Sequence, residues 1–220
     1  GLLVALLILL ITFELFMPII INLIAPGFVE NPEKFNLTVD FSRLAFPFVF
    51  FVCLTSLIGA YLNTLGKFAA MAVTPIILNL TLIFTLLIVL RSDEKIYISS
   101  LLSFSVSLAG LFQIIWLAYN LKKNDIKLRL NFLKILDFSN PKKETKTFFK
   151  LLLPAILGNG AYQLNLLVDM ILASTLPHGS ISYLYYADRI NQLPLGVLGI
   201  AISTALLPVL SKQIKKKQKK

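Results

Sequence analysis

Long apolar runs constrain the fold of this chain more than any other feature of its sequence. Each run is long enough for the ~20 residues that cross a bilayer as a helix. The six runs cover residues 1–24, about 41–65, about 68–90, about 96–121, about 148–176 and about 181–210. They are continuously apolar and lack the alternation of an outer-membrane barrel. The pattern therefore predicts an all-α, polytopic helical membrane protein with six transmembrane helices.

The composition agrees with a membrane protein rather than a soluble domain. Hydrophobic residues make up 57% of the 220-residue chain, whereas soluble domains contain about 45–50%. Lysine and arginine outnumber acidic residues 21 to 11, a balance that in a soluble protein would indicate nucleic acid as a partner. Here the basic residues lie between apolar runs, where they set topology and contact anionic lipids. The predicted partners are therefore membrane lipids and not nucleic acid.

The distribution of lysine and arginine also predicts which connections face the cytoplasm. Connection 122–150 has nine of them, the tail after Leu210 has six, and Lys67 falls on the same side by helix alternation. The opposite side has four, namely Lys34, Arg43, Arg91 and Lys95. The positive-inside rule makes the richer side cytoplasmic. The first helix is therefore predicted to run from inside to outside.

The long connection divides the chain into predicted units. These are a four-helix unit at 1–121, a basic cytoplasmic linker at 122–147, a two-helix unit at 148–211 and a basic cytoplasmic tail at 212–220. The apolar residues between 132 and 138 fit either a short helix on the cytoplasmic leaflet or a solvated linker. Gly1 stands where an initiator Met would, without a basic stretch before the apolar run, so we expect the chain to begin inside a larger protein.

The sequence has few residues suited to catalysis or metal binding. Cys53 is the single cysteine, which excludes an internal disulfide and a cysteine-based metal site. A phosphate-binding Gly-rich loop, a metalloprotease His-Glu motif and a CxxC pair are all missing. We therefore expect no metal, no cofactor and no enzymatic activity, and these absences favour transport.

Charged residues at membrane depth mark the sixth apolar run. The sequence Tyr-Tyr-Ala-Asp-Arg at 185–189 lies inside it, although an aspartate or arginine costs about 2.5–3.5 kcal/mol at the centre of a membrane helix. Steps of three or four residues from Ser182 pass through Tyr185, Arg189 and Gln192. This spacing puts a polar stripe on one helix face. Such a stripe with an arginine in it favours a water-filled cavity over close packing.

The fifth apolar run has a polar face of its own. Four polar residues fall within about half of its helical circumference: Asn159, Gln163, Asn165 and Asp169. This run leads outward and the sixth returns, so Asp169 and Arg189 are predicted at similar depth in the outer half of the membrane. We hypothesise that they approach each other or share one aqueous cavity. Asp188 is adjacent to Arg189, so on a helix their side chains do not face each other.

Other polar residues at membrane depth are expected to bond between helices. They are Asn79, Thr81 and Thr85 of the third run and Ser103, Ser107 and Gln113 of the fourth. Glu14, near the outer end of the first run, is either functional or placed to reach the interface. Pro18, Pro47 and Pro75 lie within or beside runs and predict irregular helices.

Several motifs are distributed along the whole chain. They are Ala25-Pro26-Gly27-Phe28, Phe46-Pro47-Phe48, residues 59–64 with Lys67-Phe68, residues 75–79 and residues 158–163. The longest block joins Gly179-Ser180-Ile181-Ser182, residues 185–189, residues 193–199, Leu206-Leu207-Pro208 and Leu210-Ser211-Lys212. In these motifs the chain resembles the MurJ (MviN) family of lipid II flippases, within the superfamily of multidrug and polysaccharide-lipid exporters. The resemblance covers nearly all of the chain.

The resemblance implies a fold and an activity. Members of the family have fourteen transmembrane helices, in two six-helix lobes plus two more, and this chain would hold the third to the eighth. Its first four helices would complete the N-terminal lobe and its last two would open the C-terminal lobe. The implied activity moves lipid II, the undecaprenyl-pyrophosphate-linked peptidoglycan precursor, across the bacterial inner membrane by alternating access.

The resemblance also implies residue roles. Arg189 matches the family's functional arginine on the eighth helix and Asp188 its acidic neighbour, and an arginine fork pairs bidentately with phosphate. The family's other cavity arginines lie on its first two helices, which this chain does not match. The predicted substrate-binding residues are Arg189, Asp188, Gln192, Tyr185, Asp169, Gln163 and Asn159.

Three alternatives stand beside this interpretation. A polysaccharide-lipid flippase or a cation-coupled drug exporter would belong to the same superfamily, and the motif at 185–189 discriminates against both. A membrane enzyme acting on polyprenyl-phosphate lipids would need carboxylate clusters for a metal, which the sequence lacks. A scaffold without transport activity would leave the polar stripe of the sixth run unexplained.

Overall fold

The protein is described by a computed structural model that covers residues 2–124 and 143–194. All regular elements in these ranges are helical, which confirms the predicted all-α fold. The α-helices are α1 Leu2–Leu15, α2 Met17–Ile24, α3 Pro32–Ala45, α4 Pro47–Thr64, α5 Phe68–Ala72, α6 Thr74–Val89, α7 Lys95–Lys123, α8 Lys143–Ser174 and α9 Ser180–Pro194, and a 3-10 turn covers Pro26–Phe28. The apolar stretch at 132–138, the second half of the sixth run and the tail at 212–220 lie outside the described residues.

Several helical stretches have the length and apolarity of membrane spans. Three qualify on their own, Pro32–Thr64, Phe68–Val89 and Lys95–Lys123, and α1 with α2 makes a fourth if this bent pair is one span. Large apolar side chains such as Phe84 and Leu87 are exposed along them, as expected for surfaces that face lipid. The polytopic class is confirmed within the described residues. The count of six remains a prediction, because neither α8 nor α9 is among these stretches and the sixth run extends beyond Pro194.

The first apolar run forms two helices that are bent by 73°. Pro18 lies at the start of α2, and its ring nitrogen has no hydrogen to donate to the carbonyl of Glu14, four residues back. Beyond the bend, Met17 and Ile21 are buried against Val39 of α3. The proline therefore permits the bend, and packing against α3 sets its direction.

The second run begins about nine residues earlier than its apolar stretch predicts. Helix α3 starts at Pro32, and the Asn31 side chain accepts a hydrogen bond of 3.0 Å from the backbone nitrogen of Lys34. An asparagine cap, a proline at the first helical position and the acidic Glu33 are all favourable at a helix N-terminus. The apolar criterion missed this start because the first turns are polar.

Helix α7 packs against α3, α4, α5 and α6, the helices of the second and third apolar runs. Three of its polar side chains donate to backbone carbonyls near the helix breaks at Phe46 and Val73. The donor–acceptor pairs are Ser107 Oγ with Leu44 O at 2.6 Å, Gln113 Nε2 with Thr74 O at 2.9 Å and Trp116 Nε1 with Ala70 O at 3.0 Å. These bonds connect α7 to the two interrupted spans.

The prediction of bonds between helices is confirmed for Ser107 and Gln113. It is wrong for Ser103, Thr81 and Thr85, whose hydroxyls donate to carbonyls four residues back in their own helices. Hydroxyl groups have this local alternative in a helix. A hydroxyl therefore bonds to a neighbouring helix only where a carbonyl of that helix is within reach.

Candidate functional site

Helices α8 and α9 form an antiparallel hairpin through a short connection at 175–179. Gly179 has a φ of 97°, a left-handed conformation that glycine adopts without steric penalty. Ser180 Oγ donates to the carbonyl of Pro177 at 2.7 Å, which satisfies a group of the tight turn. The hairpin brings the polar face of the fifth run opposite that of the sixth.

A cavity of about 740 Å³ lies along this hairpin. Helix α8 contributes one face to it at helical spacing, including Tyr162, Asp169 and Ala173, and α9 contributes residues from Ile181 to Gln192. The volume is within the range of about 300–1,000 Å³ that is usual for ligand pockets. The predicted residues Asp169, Tyr185, Asp188, Arg189 and Gln192 all line it.

The amide of Gln192 connects the two helices and three polar side chains. Its Nε2 donates to Asp188 Oδ2 at 2.6 Å and to the Tyr162 hydroxyl at 3.1 Å, and its Oε1 accepts from Arg189 at 3.3 Å. Both donor hydrogens and the acceptor oxygen of the amide are used. Asp188 and Arg189 therefore do not pair directly but are connected through one neutral side chain.

Arg189 is exposed to the cavity and held from one side. Its guanidinium carbon lies 4.8 Å from the centroid of the Tyr185 ring, in the range of a cation–π contact. Arginine has five N–H donors, and within the described residues only one of them is bonded, to Gln192. The guanidinium is thus oriented by Tyr185 and Gln192 and keeps donors available to a ligand.

Asp169 lines the same cavity as Arg189, which agrees with the second form of our hypothesis, a shared cavity. Its Oδ2 accepts a hydrogen bond of 3.3 Å from Asn165, one turn earlier in α8. Together with Asp188, the described lining has two carboxylates and one guanidinium. This part of the cavity is therefore of mixed charge rather than purely cationic.

The two remaining predicted residues, Gln163 and Asn159, also belong to α8. Gln163 is exposed and is not part of the cavity wall, because it is rotated by about 100° from the lining residue Tyr162. Asn159 lies in α8, and its side chain is outside the described residues. The binding roles of all seven residues remain predictions.

Sequence reasoning missed Tyr162, the residue that joins α8 to the polar side chains of α9. Its hydroxyl accepts the hydrogen bond from Gln192 that joins α8 to α9. Tyr162, Asn165 and Asp169 are separated by three and four residues and so share one helix face. That spacing would have found Tyr162 if tyrosine had been counted among the polar residues of the fifth run.

Exposed apolar helices and a polar cavity between α8 and α9 that holds an arginine define a polytopic α-helical membrane protein. Comparison with known proteins then assigns the family. The family described as "Lipid II flippase MurJ" matches residues 1–220, the whole chain. The protein belongs to the lipid II flippase MurJ family.

Similar proteins include three that carry the name "Probable lipid II flippase MurJ". The one from Rickettsia prowazekii (strain Madrid E) is 42% identical over 205 residues, 92% of this chain and 38% of the relative. The one from Rhizobium meliloti (strain 1021) is 39% identical over 214 residues, 96% of this chain and 38% of the relative. The one from Helicobacter pylori (strain J99) is 37% identical over 211 residues, with 90% and 45% covered. The chain thus spans less than half the length of these relatives.

Proposed function

We propose that this chain is part of a lipid II flippase. The protein moves the undecaprenyl-pyrophosphate-linked peptidoglycan precursor from the inner to the outer leaflet of the bacterial inner membrane by alternating access. The observation that carries the proposal is Arg189, a guanidinium exposed to a cavity between α8 and α9, in a chain whose residues 1–220 all match the family. The four predicted spans before the connection at 122–147 complete one lobe, and the two predicted spans after it begin the other lobe.

The chemistry of the headgroup matches the guanidinium. A pyrophosphate presents several anionic oxygens, and an arginine fork binds two of them with parallel charge-assisted hydrogen bonds. Arginine also keeps its charge when it is buried, whereas burial readily lowers the pKa of a lysine and removes its charge. Arg189 is the residue that we assign to the pyrophosphate, with Tyr185 and Gln192 fixing its orientation.

The other predicted residues have roles that follow from their positions. Asp188 fixes Gln192 from the side opposite Arg189, and Asp169 faces the headgroup from α8. Gln163 and Asn159 lie further along α8, toward the predicted cytoplasmic side, where we assign them to sugar or peptide groups of the entering precursor. The further cations that such a headgroup needs would come from the family's first two helices.

The mixed charge of the cavity favours one alternative. Asp169 and Asp188 give the described lining two carboxylates against one guanidinium, a balance that suits a cationic cargo. A cation-coupled drug exporter of the same superfamily is therefore the second candidate. In the flippase, the same carboxylates weaken phosphate binding and so assist release of the headgroup.

Substitution of Arg189 separates the two functions. In the full-length gene product, expressed in cells depleted of their own flippase, we expect Arg189→Ala to abolish growth and the appearance of lipid II at the outer leaflet. Arg189→Lys keeps the charge but loses the fork, and we expect it to restore function only in part. The measurements are growth and the accessibility of lipid II to an impermeant reagent.

Arg91→Ala is the matched control, because Arg91 lies in the turn after α6 and not in the cavity. It removes the same charge and should leave growth unchanged. Membrane levels of each variant are compared by immunoblotting, so that a loss of insertion is recognised. Full complementation by Arg189→Ala would overturn the role assigned to Arg189. Failure of the unsubstituted protein to complement, together with an efflux of cationic drugs that Arg189→Ala abolishes, would support the exporter instead.

A further inference from the structure

The 3-10 turn Pro26–Phe28 touches the end of α8 at a point where no side chain fits between them. The backbone nitrogen of Gly27 donates to Ser174 Oγ at 3.2 Å. A Cβ added to Gly27 would lie 2.2 Å from the carbonyl oxygen of Ser174, closer than real atoms approach. Ser174, Ala173 and Ala25 are all buried. Backbone therefore packs directly on backbone between the first unit and the hairpin.

This contact lies between the large cavity and the predicted outer face. A second cavity of about 200 Å³ is bounded by Phe28 on the side of the turn and by His178 on the side of the hairpin connection. It shares Ala173, Ile181 and Ser182 with the 740 Å³ cavity. The two cavities are therefore neighbours, and these three shared residues form the wall between them.

The hydrogen bond between the turn and α8 is not the only one that Ser174 makes. Ser174 Oγ also donates to the carbonyl of Ile171 at 2.7 Å, so it keeps a hydrogen bond when Gly27 moves away. On the other side, the Lys34 ammonium lies 3.7 Å from the centroid of the Phe28 ring and holds this ring to α3. We therefore expect the turn to move together with α3. Only one described hydrogen bond joins it to α8.

From these contacts we propose that the Pro26–Phe28 turn is the outer gate of the cavity between α8 and α9. While Gly27 is docked on Ser174, the cavity is closed toward the outer face. When the turn, α2 and α3 separate together from the hairpin, the small and large cavities join and open outward. The proposal rests on the alternating access of the proposed function and assigns it a specific contact.

The first test measures opening without transport. In a cysteine-free background of the full-length gene product, Ser182→Cys reports on the wall shared by the two cavities. We expect Gly27→Ala, whose Cβ collides with Ser174, to raise the labelling rate of this cysteine by an impermeant thiol reagent about tenfold, because it shifts the closed state toward the open one. Gly160→Ala is the control, because a Cβ there meets no atom within 4 Å.

A milder pair of variants isolates the hydrogen bond. Ser174 and Thr175 both donate to carbonyls three residues back in α8, but only Ser174 also accepts from Gly27. We expect Ser174→Ala to raise the labelling of Ser182→Cys and Thr175→Ala to leave it unchanged. Equal labelling rates for all of these variants and the parent would overturn the proposal.

The second test needs no substitution at Gly27. Phe28→Cys and His178→Cys line the 200 Å³ cavity from opposite sides, and a short thiol-to-thiol crosslinker joins them only while the turn is docked. We expect the crosslinked protein to lose transport. When the crosslinker is a cleavable one, its cleavage should restore transport. If the crosslinked protein transports at the uncrosslinked rate, the turn is not the outer gate, and the proposed flippase function is unaffected. Failure of the unsubstituted protein to complement, with labelling shifts as expected, would instead reject the flippase function alone.

Discussion

Among the described residues of the site, Gln192 makes the most side-chain hydrogen bonds, three in all. It binds Asp188, Arg189 and Tyr162 at once, and two of these belong to its own helix while the third belongs to α8. A neutral amide in this position holds an acid and a base apart without neutralising either. The orientation of Arg189 therefore depends on a side chain that carries no charge.

Substitutions of Gln192 test this dependence. We expect Gln192→Ala to reduce transport about tenfold or more, because a displaced guanidinium no longer meets the headgroup in the productive geometry. Gln192→Glu keeps the size but puts a second carboxylate where the amide now lies 2.6 Å from Asp188, and like charges at that distance repel. We expect it to be at least as damaging, measured by the same outer-leaflet assay of lipid II.

Ile190→Ala is the control for these variants. Ile190 lies on α9 but is exposed and does not line the cavity. Its truncation should leave transport unchanged. A Gln192→Ala protein that inserts normally and transports as fast as Ile190→Ala would show that the amide does not position Arg189.

The sequence predicted part of this site and missed part of it for a physical reason. Helical spacing alone puts Tyr185, Arg189 and Gln192 on one face, and the structure has them there. The bond from Gln192 to Tyr162 joins residues thirty positions apart, and it depends on how α8 and α9 pack. Periodicity predicts the face of a helix but not the rotamer of a side chain or its partner on another helix.

Among whole helices, α7 contributes the polar contacts that hold the first unit together. In lipid, apolar helices have little hydrophobic drive to associate, so packing and hydrogen bonds between helices contribute more of the stability. Ser107 and Ser103 offer a matched comparison, since both are serines of α7. Ser107 donates to Leu44 of another helix and Ser103 to Ser99 of its own.

We expect Ser107→Ala to lower the free energy of unfolding by about 0.5–1.5 kcal/mol, because it leaves the Leu44 carbonyl without this donor. Ser103→Ala should change it by less than about 0.5 kcal/mol. The measurement is reversible unfolding of the full-length protein in mixed micelles. Equal effects of the two substitutions would contradict the assigned role of the bond between helices.

Apolar runs predict that a helix exists but not the residue at which it begins or bends. The four runs between residues 1 and 121 each correspond to a described helix or bent helix pair. The start of α3 at Pro32 and the bend before Pro18 were not placed by hydropathy. The first depends on a polar cap at Asn31, and the second on burial of Met17 and Ile21 against α3. Neither is visible in an average over about twenty residues.

For the molecule as a whole, the charge asymmetry predicts a topology that labelling can test. Asn124 follows α7 on the predicted cytoplasmic side, and His178 lies in the connection between α8 and α9 on the other. In a background without Cys53, we expect an impermeant thiol reagent to label His178→Cys in intact cells. Asn124→Cys should react only after the membrane is permeabilised. The reverse pattern would invert the topology and place the Pro26–Phe28 turn on the cytoplasmic side.

The broken spans of the first unit have a consequence for how the protein is made. The donors that bind the carbonyls of Ala70 and Leu44 come 46 and 63 residues later in the chain. At about 5–20 residues per second of synthesis, these carbonyls wait roughly 2–13 seconds for α7. An unbonded carbonyl in hydrocarbon costs several kcal/mol. The nascent helices α3 to α6 should therefore stay beside the insertion machinery until α7 emerges, and release of this unit into the bilayer should await the translation of Trp116.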